Sequence, residues 1–250
     1  ESEKNAVAKV LESGWVAGQG PKCIELSDLI KSITKSKYAI PVNNCTAGLH
    51  LALLALGIKN GDEVLVSDFT FPATGHAVLY CGATPRFVDV ELKSYNVDPK
   101  KIEEKCNNKT KAIIVVHAFG HTANMQPILE IAKRKNIQII EDAACSLNAK
   151  YKGRFAGEFG SIASFSFHGR KNITAGEGGV VISNNQEYAD KINLLSCFGM
   201  ESAYNRRDTF SIPTFQVLGY NYKLSDINAS IVIEQLKKYP KFIEKKKKLA

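Results

Sequence analysis

The chain has 250 residues, 44% of them hydrophobic, enough to bury a sizeable core and to exclude an intrinsically disordered segment. No apolar run reaches the roughly 18 residues a membrane helix needs, so no membrane partner is expected. The net charge of +8 is concentrated at one end: residues 236–250 hold seven lysines and one glutamate, which leaves only +2 for the rest and argues against a nucleic-acid-binding face.

In chain order, Glu1–Lys4 offers no basic leader ahead of an apolar core, so no secretory signal is expected. Tyr38–Val42 reads as a strand, and Asn43–Leu56 as a turn opening an apolar helix. Cys45 and Thr46 lie at that helix start, where unpaired N–H groups and the helix dipole favour an anion such as phosphate; a plain helix cap is the alternative. Glu63–Ser67, Arg86–Val90, Ala112–Val116 and Ile137–Ile140 read as further strands, with a helix over Pro127–Arg134.

The strand Ile137–Ile140 runs straight into Glu141 and Asp142, at the carboxyl end where open α/β sheets bind ligands. Two readings stay open for Asp142: a partner for a protonated ring nitrogen, or a cap on a following helix. Ile162–Phe167 is another strand, followed by a loop that carries Lys171 and closes on Gly176, Gly178 and Gly179. A lysine so placed can form a Schiff base with an aldehyde cofactor, against the ordinary alternative of a solvated surface charge. Gly179–Ile182 completes the strands, Tyr188–Leu195 reads as a helix, and a capped helix starts near Ser225 with a bend or break expected at Pro240.

The alternation of apolar strands with helical segments predicts an α/β fold, a mostly parallel central sheet covered by helices. Six cysteines (Cys23, Cys45, Cys81, Cys106, Cys145 and Cys197) form no Cys-x-x-Cys pair, so neither a zinc knuckle nor a redox dithiol is indicated, and a reducing, cytoplasmic compartment is the simplest expectation. His117 and His121 stand four apart but follow a strand and flank Gly120, a poor setting for a helical metal site.

Several segments, in this order, resemble the DegT/DnrJ/StrS family of sugar aminotransferases, fold-type I enzymes that use pyridoxal 5'-phosphate (PLP). They are Ser13-Gly14-Trp15 with Gly20-Pro21-Lys22, Cys45-Thr46-Ala47, Asp68-Phe69-Thr70-Phe71-Pro72-Ala73-Thr74, and Val116-His117 with Gly120 and Met125. Glu141-Asp142-Ala143-Ala144, the Lys171 run and Leu218-Gly219-Tyr220-Asn221-Tyr222 complete the set. The resemblance implies the PLP-binding large domain over residues 1–250, with the family's smaller C-terminal domain absent from this chain. It implies that Lys171 carries the cofactor as a Schiff base and shuttles protons, that Asp142 holds the pyridine nitrogen protonated, and that Cys45, Thr46 and Ser166 bind the phosphate. Phe71 would stack on the ring, with ordinary core packing as the alternative.

The residue matching Asn221 reaches the cofactor of a neighbouring subunit in relatives, which implies a homodimer with shared active sites. The implied reaction moves an amino group from an amino acid, usually glutamate, to a nucleotide-linked keto sugar. A PLP-dependent sugar dehydratase is the chemical alternative, although relatives of that kind replace the Schiff-base lysine with histidine; a non-catalytic regulatory relative is the other. Three positions depart from the pattern: Cys45 stands where Gly is frequent, Cys145 where Gln or His usually approaches the cofactor's phenolic oxygen, and Lys223 where Arg is usual.

Overall fold

The computed structural model describes residues 1–200 and 214–249. Its strands are β1 (Tyr38–Val42), β2 (Glu63–Ser67), β3 (Thr84–Val88), β4 (Thr110–Val116), β5 (Gln138–Asp142), β6 (Lys150–Tyr151), β7 (Arg154–Phe155), β8 (Ile162–Ser166) and β9 (Gly179–Ser183). The helices are α1 (Ser2–Ser13), α2 (Pro21–Thr34), α3 (Cys45–Ala55), α4 (Pro72–Tyr80), α5 (Pro99–Lys105), α6 (Met125–Lys135), α7 (Gln186–Ser196) and α8 (Asp226–Leu249).

Seven strands form one sheet in the order β1-β9-β8-β5-β4-β2-β3, and β6 and β7 make a separate small hairpin. The run β3-β2-β4-β5-β8 is parallel throughout, and only β9 is antiparallel to its neighbours β8 and β1. The two strand prolines, Pro41 in β1 and Pro85 in β3, both sit on edge strands, where a missing N–H costs no ladder bond.

Alternation along the strands divides the core between two faces. Val64, Val66, Ala112, Ile114 and Ile140 face one way, against Leu49 and Leu53 of α3, Val78 of α4 and Ile192 of α7. Leu65, Ile113, Val115 and Ile139 face the other way, against Ile102 of α5 and Ile128 and Ile131 of α6. On that second face Phe165, Val180 and Ile182 meet Leu26 and Ile30 of α2 and Val232 and Leu236 of α8. Burial on both faces is why these strands read as continuous apolar runs rather than as polar–apolar alternation.

β1 and β2 fall where the sequence places them. β3 starts two residues earlier than predicted because its ladder with β2 begins at Thr84 opposite Glu63; Val90 leaves that ladder for an isolated bridge to Val97. β5 runs on through Asp142, which pairs with Val116 and Ser164, so the carboxylate is the last residue of a central strand. Pro240 does not end α8, which continues to Leu249; the lost backbone bond falls on an exposed position of a helix already packed through Val232 and Leu236.

One buried carboxylate ties the chain ends together. Asp226 accepts hydrogen bonds from the backbone N–H groups of Gly20, Lys22 and Cys23 at 3.1, 2.9 and 3.1 Å, so a residue at the start of α8 caps α2. Gly20 is required there, because a Cβ would lie 2.0 Å from the Trp15 indole and 2.3 Å from the Asp226 carboxylate. Asp226→Ala strands three amide donors and is expected to cost about 2 kcal/mol. Urea unfolding checks this, and Asp226→Asn, which keeps one acceptor oxygen, is expected to lose less.

Candidate active site

The strand directions bring four segments to one edge of the sheet. β2, β4, β5 and β8 all end there, and so does β1, since two antiparallel steps through β9 make it parallel to β8. The α3 start, the Phe71 segment, Asp142 and the Lys171 loop therefore converge at the edge where α/β sheets bind ligands. A cavity of about 580 Å³ opens between them. Cys45, Thr46, Phe71, Asp142, Ser166 and Lys171 all line it.

Asp142 is buried at the cavity floor. Its Oδ2 accepts from the Thr74 hydroxyl at 2.8 Å and its Oδ1 from the Ala144 N–H at 3.2 Å. Thr74 is itself paired with the Thr70 hydroxyl at 2.7 Å. No helix follows Asp142, so the capping alternative falls away. Burial pushes its pKa above the ordinary carboxylate value, opposed by the Thr74 hydrogen bond, the Ala144 amide and the charge of Lys171. Among the described residues no cation forms an ion pair with it.

Glu141, one residue earlier, points to the other face of the sheet. Burial alone would raise its pKa, but the His117 hydrogen bond and backbone amides outweigh that and hold it below the usual value. Its Oε2 meets His117 Nε2 at 2.9 Å and the Gly157 N–H at 2.7 Å; its Oε1 accepts from the Phe159 and Gly160 N–H groups at 2.8 and 2.6 Å. His117 Nδ1 accepts from the Ala123 N–H at 3.2 Å, which assigns the ring proton to Nε2. Adjacent carboxylates thus have opposite parts: Glu141 is saturated and structural, while Asp142 faces open space.

Lys171 sits in the connection between the antiparallel strands β8 and β9. Phe167 N–H bonds Gly178 C=O at 2.8 Å and Gly169 N–H bonds Gly176 C=O at 2.9 Å, so the loop is closed by its own backbone. Helix α8 secures it from outside: Gln235 accepts from the Thr174 N–H at 2.9 Å and Asn228 donates to the Glu177 carbonyl at 2.8 Å. Lys171 Nζ donates to Cys145 Sγ at 3.1 Å. The half-buried Lys171 lines the cavity.

At the α3 start the cap is Asn44, whose side chain accepts from the Ala47 N–H at 2.8 Å. Thr46 is therefore not the cap, and it lines the cavity together with Ser166, whose hydroxyl accepts from the His168 N–H at 3.3 Å. Cys45 does not crowd this turn: its thiol is buried against the Ser164 carbonyl at 3.6 Å, and the Ser164 hydroxyl returns a bond to the Cys45 carbonyl at 3.2 Å. Gly179 lets the turn sit close to the sheet, since a Cβ there would lie 2.7 Å from Asn44 C and 2.8 Å from Cys45 N. Phe71 is 76% exposed, which removes the core alternative and leaves its ring as a cavity wall.

Asn221 is not in this cavity. It is exposed, accepts from Lys223 Nζ at 2.6 Å, and forms an isolated bridge with Cys197. Lys223, in place of the usual Arg, lies 4.1 Å over the Phe198 ring. Thr74, Gln235 and Asn228 were missed by the sequence reading; only Thr74 carried a local signal, standing four residues, one helical turn, after Thr70.

An anion-favouring helix start, an aromatic wall, an amine and a buried carboxylate around one cavity match, in donor chemistry, a phosphorylated aromatic aldehyde with a basic ring nitrogen. The sheet order and its covering helices are those of a fold-type I PLP-transferase. The model of the DegT/DnrJ/EryC1/StrS aminotransferase family matches residues 1–250, and the chain belongs to that family. It is 44% identical over 241 residues to the uncharacterized protein MJ1066 of Methanocaldococcus jannaschii, covering 95% of this chain and 62% of that protein. It is 41% identical to the GDP-perosamine synthase of Escherichia coli O157:H7, covering 99% of this chain and 66% of that enzyme. Among solved structures, the PMP-form of the putative sugar aminotransferase Spr1654 from Streptococcus pneumoniae superimposes with a TM-score of 0.93 at 28% identity, covering 99% of this chain and 67% of that one. The chain thus spans less than two thirds of the length of these curated relatives.

Two outcomes follow from this geometry. Because the Asp142 pKa is raised, the folded chain keeps a proton that the unfolded chain has released, and stability falls as pH climbs from the ordinary carboxylate range through the raised value. Asp142→Asn keeps an acceptor for Thr74 and removes the charge, so the cofactor-free variant is expected to melt above wild type at neutral pH, with the difference vanishing in acid; calorimetry at several pH values checks it. Gly179→Ala is expected to displace the α3 start and weaken phosphate or PLP binding at least about tenfold, measured by titration.

Proposed function

We propose that this chain is the large, cofactor-binding domain of a PLP-dependent aminotransferase that moves an amino group from an amino acid, glutamate in the first instance, to a nucleotide-linked keto sugar. The observation that carries the reading is the sharing of one cavity by Lys171 and a buried Asp142 carboxylate that forms no ion pair among the described residues. The similarity to a GDP-perosamine synthase, whose name specifies a nucleotide-linked amino sugar, supports the substrate class, and the relative crystallised in a PMP form supports the cofactor.

PLP supplies an electron sink that stabilises the carbanion left when the donor amino acid loses its α-proton. This chain's residues do the rest. The α3 start with Cys45 and Thr46, together with the Ser166 hydroxyl, binds the phosphate. Phe71 covers the ring on one side. Asp142 keeps the ring nitrogen protonated, and Thr74 fixes the carboxylate that does so. Lys171 would hold the cofactor through its amine, and the same Nζ would be the base for the proton on the donor's α carbon. Cys145 sets the position of that nitrogen.

Asn221, exposed and outside its own cavity, is read as a contribution to the cavity of a second copy, which makes the enzyme a homodimer with shared sites. All six cysteines are free, in keeping with a reducing, cytoplasmic compartment, and no helix among the described residues is long and apolar enough to cross a membrane.

Borohydride reduction of the full-length protein loaded with PLP, followed by peptide mapping, is expected to place the label on Lys171. Lys171→Ala is expected to lose the label and to slow amino transfer to a nucleotide-linked keto sugar by roughly a thousandfold or more. A label elsewhere, or activity retained in that variant, contradicts the proposal.

A further inference from the structure

Cys145 is the one exposed thiol of the six cysteines. Burial pushes the thiols of Cys23 and Cys81 up to about 12 and raises that of Cys45 as well, which disfavours their thiolates. Cys145 is placed differently, in solvent and 3.1 Å from the Lys171 amine. The two side chains share a recess of about 10 Å³ with Leu147, Asn172 and Ile173, room for no more than a single water. The loop closure at Gly169–Gly176 and the Gln235 bond to Thr174 hold the amine in place, so a reaction between the pair is intramolecular.

We propose that Cys145 and Lys171 form a reversible oxidative cross-link in the presence of a peroxide. The Cys145 sulfur gives two electrons to the O–O bond of hydrogen peroxide; an S–O bond forms, and one oxygen leaves as water, giving the sulfenic acid. Lys171, after giving one proton to solvent, then attacks that sulfur as the free amine: the S–N bond forms, the S–O bond breaks, and the hydroxyl leaves with an amine proton as a second water. Two equivalents of an external thiol reverse the link, restoring thiol and amine and leaving as a disulfide. The cross-link rests on the pair's geometry alone. Its consequence, a lysine withdrawn from cofactor attachment, rests on the function proposed above.

The test treats full-length protein without cofactor with hydrogen peroxide, digests it and maps the peptides by mass spectrometry. A linked peptide containing Cys145 and Lys171, lighter than the two separate peptides by two hydrogen atoms and released by dithiothreitol, is expected. Its yield is expected to fall at least about tenfold in Cys145→Ser and to persist in Cys81→Ser. Prior loading with PLP is expected to suppress it. Recovery of Cys145 as sulfinic acid or in a disulfide, with the Lys171 peptide unmodified, overturns the proposal. A link that forms equally well with PLP present supports the cross-link and contradicts cofactor attachment at Lys171, so the two readings fail separately.

Discussion

The structure depends on one unfavourable placement, a carboxylate buried at the end of a central strand with two hydrogen-bond donors and, among the described residues, no ion pair. A charge there costs free energy that the chain does not recover internally, since the Thr74 hydroxyl and the Ala144 amide offset only part of the burial. Such an arrangement persists when something outside the chain completes it. On the function proposed above, a protonated ring nitrogen would supply the missing positive charge through the surrounding cavity.

Glu141 makes the contrast internal to the molecule. It has the same burial and a neighbouring position on the same strand, yet His117 and three backbone amides saturate it and its pKa moves the other way. Strand alternation does this: consecutive residues face opposite sides of the sheet, so one carboxylate locks the loop at 157–160 while the next opens to the cavity. The Lys171 loop shows a similar division of labour, its backbone closed locally and its flank held by Gln235 and Asn228 from α8.

Much of this was legible in the sequence because it is local. Apolar runs fix strands, so β1 and β2 were bounded correctly, and the end of a run marks where Asp142 and Lys171 must emerge. The turn between β1 and α3 was legible for the same reason, a strand followed at once by an apolar helix. Long-range partners were not: Gln235 lies 61 residues from Thr174 and Asp226 206 residues from Gly20, and no periodicity links them. The reversed direction of β9 was also hidden, because an apolar strand reads alike both ways. The break expected at Pro240 does not occur, because its local cost is outweighed by packing of the helix around it.

The central claim concerns a proton on a ring nitrogen, and nitrogen NMR reads it directly. Full-length protein loaded with PLP labelled at the pyridine nitrogen is predicted to show the chemical shift of a protonated ring from weakly acid to alkaline pH, with Asp142→Asn moving it toward the unprotonated value. A wild-type shift of unprotonated pyridine at neutral pH, unchanged by that substitution, would contradict the account.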